Sequence, residues 1–133
     1  MDMEKYYSKT HEWIKTDSDY EVAIVGISEY AAANLGTITF VDLPREGTDL
    51  ICGDSIGTIE SVSASSDVFS PVSGTVTAVN RALDDDPGII STSPENKGWL
   101  YKLDNIDPAE IDELTEKQEL MSEEQYADYL ETL

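Results

Sequence analysis

The sequence predicts a mainly β fold, a sandwich or small barrel, on three observations. Short runs rich in Val, Ile, Thr and aromatic residues recur through the first hundred positions. Turn-forming residues separate them at close intervals. Helical spacing is confined to one short stretch and to the C-terminal end.

The predicted strands are Val22–Ile27, Thr37–Leu43, Ile56–Val62, Val68–Val72, Thr75–Val79 and Trp99–Leu103. Between them stand Pro44 to Gly47, Gly53-Asp54, Ser73-Gly74 and Asp86-Pro87-Gly88, residues that set the backbone angles of tight turns. A short helix is expected near 28–35, with Ser28 capping its free N–H groups and Gly36 stopping it. Further on, Asp107 is placed to cap a helix that opens on Pro108, and Ser122 with Gln125 forms a capping box. Tyr126, Tyr129, Leu130 and Leu133 then recur at helical spacing, so one face can dock on the β core.

A chain of 133 residues with 40% hydrophobic and 27% charged residues fits one domain, 1–133, closing in an acidic helical segment from about 107 to 133. That segment is 11 acidic residues against Lys117, counting from Asp104. Over the whole chain, eight basic and 28 acidic residues give 8 − 28 = −20. Such a field repels phosphate backbones and anionic membrane surfaces, so nucleic acid and membrane are excluded as partners. A protein surface with basic patches suits it better. No apolar run approaches the ~20 residues that span a bilayer, and a cytoplasmic protein is expected. The single Cys52 forms no internal disulfide, and one cysteine with one histidine builds no four-ligand zinc site.

Catalytic constellations are missing. His11 is the only histidine and reads as a structural hydrogen-bonder beside a strand. Asp84-Asp85-Asp86 leads into Pro87-Gly88 and reads as a turn, because consecutive carboxylates diverge whereas a calcium loop places its ligands at alternate positions. No glycine-rich phosphate cradle occurs. A non-enzyme is expected.

The most informative stretch runs from Gly57 to Gly74, two apolar strands around a short polar turn, leading to Pro71 and Gly74. It resembles the lipoyl-attachment hairpin of the glycine cleavage H proteins, where Glu-Ser-Val-Lys-Ala-x-Ser-Asp precedes Ser-Pro-Val-Ser-Gly. Glu60, Ser61, Val62, Ala64, Ser66, Asp67 and the run Ser70 to Gly74 match. Thr10-His11-Glu12-Trp13 after Tyr6 and Tyr7 is similar to the N-terminal signature of that family. Val25-Gly26-Ile27, Tyr30-Ala31, Leu35-Gly36, Phe40-Val41, Leu43-Pro44, Ala82-Leu83, Asp85-Asp86-Pro87 and Gly98-Trp99-Leu100 extend the likeness in unbroken order.

The resemblance implies a barrel-sandwich hybrid of two small sheets, like lipoyl and biotinyl carriers, with peripheral helices. It implies lipoate as the covalent cofactor and a carrier role, shuttling the aminomethyl group of glycine. The implied partners are glycine decarboxylase, aminomethyltransferase, dihydrolipoamide dehydrogenase and the lipoate ligase or lipoyltransferase. Glu60 and Asp67 flank the attachment turn, and Thr10, Glu12 and Tyr30 map onto the family's arm cleft.

Ser63 stands where the family carries its lipoyl-bearing lysine. Lipoylation forms an amide on a lysine amine, and a serine hydroxyl has no nitrogen to give that product. No lysine lies between Lys15 and Lys97 to take its place. The chain is therefore expected to be unmodified and inactive as a carrier as it stands. Two accounts fit: a carrier whose lysine has been replaced, or a non-lipoylated homologue serving as a binding or regulatory partner of lipoyl enzymes.

Overall fold

The computed structural model describes residues 3–133. Two sheets face each other. The larger is built from β1 (Met3–Ser8), β2 (Glu12–Asp17), β3 (Ala23–Ile27), β5 (Asp49–Leu50), β8 (Gly74–Val79), β9 (Tyr101–Asp104) and β10 (Leu120–Met121), in the order β10-β1-β2-β3-β9-β8-β5. The smaller has β4 (Ile38–Asp42), β6 (Ser55–Ser61) and β7 (Ser65–Phe69), with β6 in the middle. All pairs are antiparallel. The mainly β expectation is met, and so are the peripheral helices.

Period-two alternation fixes which side chains enter the space between the sheets. Ile14, Val25 and Ile27 come from the large sheet, Ile38, Ile59 and Val68 from the small one, and all are buried. Val72, Leu100, Tyr101 and Leu103 belong to the same core. Two glycines allow close approaches that a side chain would block. A Cβ on Gly57 would lie 1.9 Å from the Asp42 carbonyl oxygen, so β4 and β6 meet at this separation only with glycine there. A Cβ on Gly26 would lie 2.6 Å from the Trp13 indole, which is held by its Nε1–H bond to the Pro94 carbonyl at 3.0 Å.

The helices follow their caps. α1 (Glu29–Leu35) starts at Ser28, whose hydroxyl accepts from Ala31 N, and stops at Gly36 with φ 81°. α4 (Pro108–Glu116) starts at Asp107, and α5 (Glu123–Leu130) carries the complete Ser122–Gln125 capping box. α5 docks on the outer side of the large sheet, where Tyr126 packs in a second cluster with Tyr7, Trp13 and Met121. Leu133 lies beyond the helix and is exposed, so the apolar stripe ends at Leu130.

Other differences have local causes. β1 and β2 were not among the predicted strands, although Trp13, Ile14 and Tyr7 are deeply buried. The expected strand Val68–Val72 sits three residues earlier, at Ser65–Phe69, because Pro71 cannot donate to a ladder. The expected turn near Asp86-Pro87-Gly88 separates two single-turn helices, α2 (Ala82–Asp85) and α3 (Ile89–Thr92).

Candidate functional site

The hairpin of β6 and β7 turns at Val62-Ser63-Ala64. Ser61 N–H donates to the Ala64 carbonyl at 2.8 Å, and Ala64 N–H donates to Ser61 Oγ at 3.1 Å, closing a tight turn. Val62 N–H donates to the Thr37 carbonyl at 3.2 Å, which pins the turn to the segment ahead of β4. Ser63 sits at the tip with its side chain exposed. Glu60 and Asp67, on the two strands below, are also exposed.

Two of the other predicted residues, Thr10 and Glu12, gather at the opposite end of the hairpin. Glu12 is 2% exposed. Its carboxylate accepts from Ser8 Oγ at 2.7 Å, from the Thr10 hydroxyl, and from Phe69 N–H at 3.3 Å. Burial pushes the Glu12 carboxyl up from its ordinary value, and these hydrogen bonds only partly pull it back. Thr10 stands on the turn between β1 and β2, at the rim of a groove of about 350 Å³ shared with Cys52, Phe69, Pro71 and Leu114. Glu12 and Thr10 are thus in contact, and Glu12 also meets the end of β7. Asp67 lies two residues before Phe69 on that strand, and no hydrogen bond joins it to either of them.

Tyr30 lies elsewhere. It lines a second cleft with Tyr7, Glu29, Glu95, Glu123 and Tyr126, and its ring centroid is 4.8 Å from that of His11. Two residues absent from the expected site organise this region. His11, at φ 74°, bonds through Nδ1 to the Tyr126 hydroxyl at 2.8 Å, and that hydroxyl meets Ser28 Oγ at 2.7 Å. Burial of the His11 ring holds its pKa below the ordinary value. Glu95 receives the Lys5 ammonium, the Tyr7 hydroxyl at 2.5 Å and the Glu29 N–H at 2.8 Å. Burial alone would raise its pKa, but these donors outweigh it and hold the carboxyl below its usual range. The Thr-His-Glu-Trp run signalled His11. Nothing near Glu95 in sequence distinguishes it from other surface acids.

The tip does not fit a lipoyl group on its own chemistry. Ser63 offers a hydroxyl, and no lysine occurs between Lys15 and Lys97. No helix among the described residues is long and apolar enough to cross a membrane.

Comparison with known proteins agrees with this architecture. A family model described as "Glycine cleavage H-protein" matches residues 5–133. The glycine cleavage system H protein of Xanthobacter autotrophicus is 43% identical over 127 residues, covering 96% of this chain and 95% of that protein. A protein of Schizosaccharomyces pombe, provisionally named as a mitochondrial glycine cleavage system H protein, is 46% identical over 125 residues, covering 94% of this chain and 69% of that one. The crystal structure of a glycine cleavage system H protein from Mycobacterium marinum superposes with a TM-score of 0.81 at 32% identity, covering 97% of this chain and 98% of that one. The chain belongs to the glycine cleavage H-protein family.

Proposed function

We propose that this chain is an H protein without its arm: a carrier scaffold for the aminomethyl group of glycine whose attachment position is Ser63. The family carries lipoate and works with the glycine cleavage enzymes. The observation that carries the reading is the hairpin tip, which holds an exposed residue 63 on a turn fixed by bonds from Ser61, Ala64 and Val62. A group attached there would move freely in solvent while its base stayed rigid. Serine supplies no amine, so no transfer step runs through this chain as it stands.

The binding surface does not depend on that amine. The chain therefore still docks, weakly, on glycine decarboxylase, aminomethyltransferase or dihydrolipoamide dehydrogenase, in the cytoplasm, and competes with a loaded carrier. In a carrier with an arm, Thr10 would face it from the base of the hairpin, with Glu12 buried behind Thr10 as its hydrogen-bond acceptor, Asp67 exposed on the strand between, and Tyr30 in the second cleft. That assignment is supported most for Thr10, which opens on the groove beside Phe69.

The experiment is a glycine cleavage assay with a functional lipoylated carrier, titrated with this chain in excess. Inhibition that fades as salt rises is the expected result, because exposed charge pairs are screened within a Debye length of ~8–10 Å. No inhibition at any salt would remove the competing role.

A further inference from the structure

The register of the large sheet sets a row of side chains across its outer side. Lys5 on β1 pairs with Lys15 on β2, Lys15 with Ile24 on β3, Ile24 with Lys102 on β9, and Lys102 with Ala78 on β8. Cross-strand partners share a face, and this one is turned away from the core, because the adjacent Ile14, Val25 and Leu103 point inward. Three of the eight basic residues in a chain with 28 acidic ones therefore stand in one row. Each lies beside an indole. Lys15 Nζ is 5.1 Å and Lys5 Nζ 5.7 Å from the Trp13 ring centroid, and Lys102 Nζ is 4.8 Å from that of Trp99.

Lys5 has its counter-ion in Glu95, with Glu123 of α5 at 4.0 Å. The other two lysines have none. Lys15 Nζ donates to the Glu95 backbone carbonyl at 3.2 Å, and among the described residues no carboxylate pairs with Lys15 or Lys102. Burial and the charge of Lys5 hold the Lys15 pKa below its ordinary value, so its ammonium gains from an added carboxylate. Lys15, Ile24, Ala78, Trp99 and Lys102 all keep part of their surface in solvent. α5 covers the adjoining end of the same face. It lies over β1 and β10, with Tyr126 stacked on Tyr7 at 4.3 Å between ring centroids and Glu123 turned to Lys5.

We infer that an acidic amphipathic helix of a different protein docks beside α5, seated over Ile24 and Trp99 with carboxylates on Lys15 and Lys102. Spacing selects a helix. Packed helices lie about 8–10 Å apart and neighbouring strands ~4.8 Å apart, so the next place beside a helix on β1 is two strands away, on β3. Lys15 on β2 and Lys102 on β9 then flank it. α5 already shows the chemistry, with an aromatic ring on Tyr7 and a glutamate at Lys5. Charge selects against polyphosphate and nucleic acid, which a net −20 surface repels. One helix brings few charges, and screening over ~8–10 Å leaves the two lysines to decide its register. A second copy of this chain has no such helix to offer. The apolar stripes of its acidic helices are already packed, with Ile111 and Leu114 of α4 and Tyr126 of α5 buried. The tip belongs to the other sheet, so the inference is independent of residue 63.

The test titrates the isotope-labelled full chain with a stapled helical peptide that carries leucine along one face and glutamate along the others, followed by NMR. The two tryptophans report on it. The Trp99 indole N–H signal is expected to shift saturably, while that of Trp13, held by the Pro94 carbonyl, stays in place. Lys15→Gln combined with Lys102→Gln should weaken binding at least about fivefold, the equivalent of ~1 kcal/mol, with thermal melting to confirm that the variant folds. Lys102→Gln alone, which removes no ion pair of the fold, should weaken it in the same direction. The same peptide with lysine in place of glutamate should leave the Trp99 signal unmoved. No shift at Trp99, or equal affinity of the parent and both variants, overturns the docking face. Inorganic polyphosphate that moves Trp99 as strongly as the acidic peptide overturns the helix as occupant in favour of a general anion site. Dimerisation of the chain that moves Trp99 without peptide overturns it in favour of a second copy.

Discussion

The Glu12 carboxylate accepts a hydrogen bond from the backbone N–H of Phe69 at 3.3 Å, joining the N-terminal hairpin to the end of the strand that leads from the tip. With Ser8 and Thr10 donating to the same group, a buried charge becomes a strut between the two sheets. The tip is then a lever anchored at its far end.

Removal of this strut should be costly. Glu12→Ala leaves the Phe69 N–H and two hydroxyls without their acceptor in a nearly water-free site, a loss of about 2–3 kcal/mol. Glu12→Gln keeps one acceptor oxygen and should cost less. Urea unfolding should show the midpoint falling in that order with the slope unchanged. A Glu12→Ala midpoint equal to that of the parent would mean that the carboxylate does not tie the hairpin down.

The His11 ring titrates against folding. Its pKa in the native state is held below the ordinary 6.5 by burial among the Tyr30, Tyr126 and Tyr129 rings. Below pH 6.5 the unfolded chain therefore binds the proton first, and stability contributed by the neutral ring is lost as pH falls. Glu12 works the other way, since its raised native pKa favours the folded state as pH drops towards 4.5. His11→Asn isolates the histidine, because asparagine tolerates the positive φ and Glu12 is common to both proteins. The difference in stability between parent and variant should shrink as pH falls from neutral to below 6.5. A constant difference would show that the ring does not sense pH.

Gly26 and Trp13 form a second testable pair. Gly26→Ala drives a methyl group into an indole that the Pro94 carbonyl holds in place. Overpacking of this kind costs about 1–3 kcal/mol. The tryptophan near-UV signal should change with the loss of stability. An unchanged signal with full stability would mean that the indole has room to move.

Much of this architecture was legible because its determinants are local. Ser28, Asp107 and the Ser122–Gln125 box act within a few residues, and all three cap their helices. The turn around Ser63 was legible for the same reason. β10 was not, because its two residues are a strand only through pairing with Tyr7 and Ser8. The polar run Ser65-Ser66-Asp67 hid a strand because part of it faces open solvent. At the site, the sequence marked Glu12 but not its partner, since a backbone N–H 57 residues away leaves no trace in side-chain identity. Glu95 stayed hidden because Lys5 and Tyr7 reach it from the other end of the chain.

Under the function proposed above, residue 63 is the attachment position and serine alone keeps it bare. Intact-mass analysis after incubation with lipoate–protein ligase, lipoate and ATP tests it most directly, on this chain and on Ser63→Lys in parallel. No added mass is expected on the chain, and one lipoyl group on Ser63→Lys, mapped to residue 63 by peptide sequencing. A lipoyl group on the unaltered chain, or an unmodified Ser63→Lys, would contradict it.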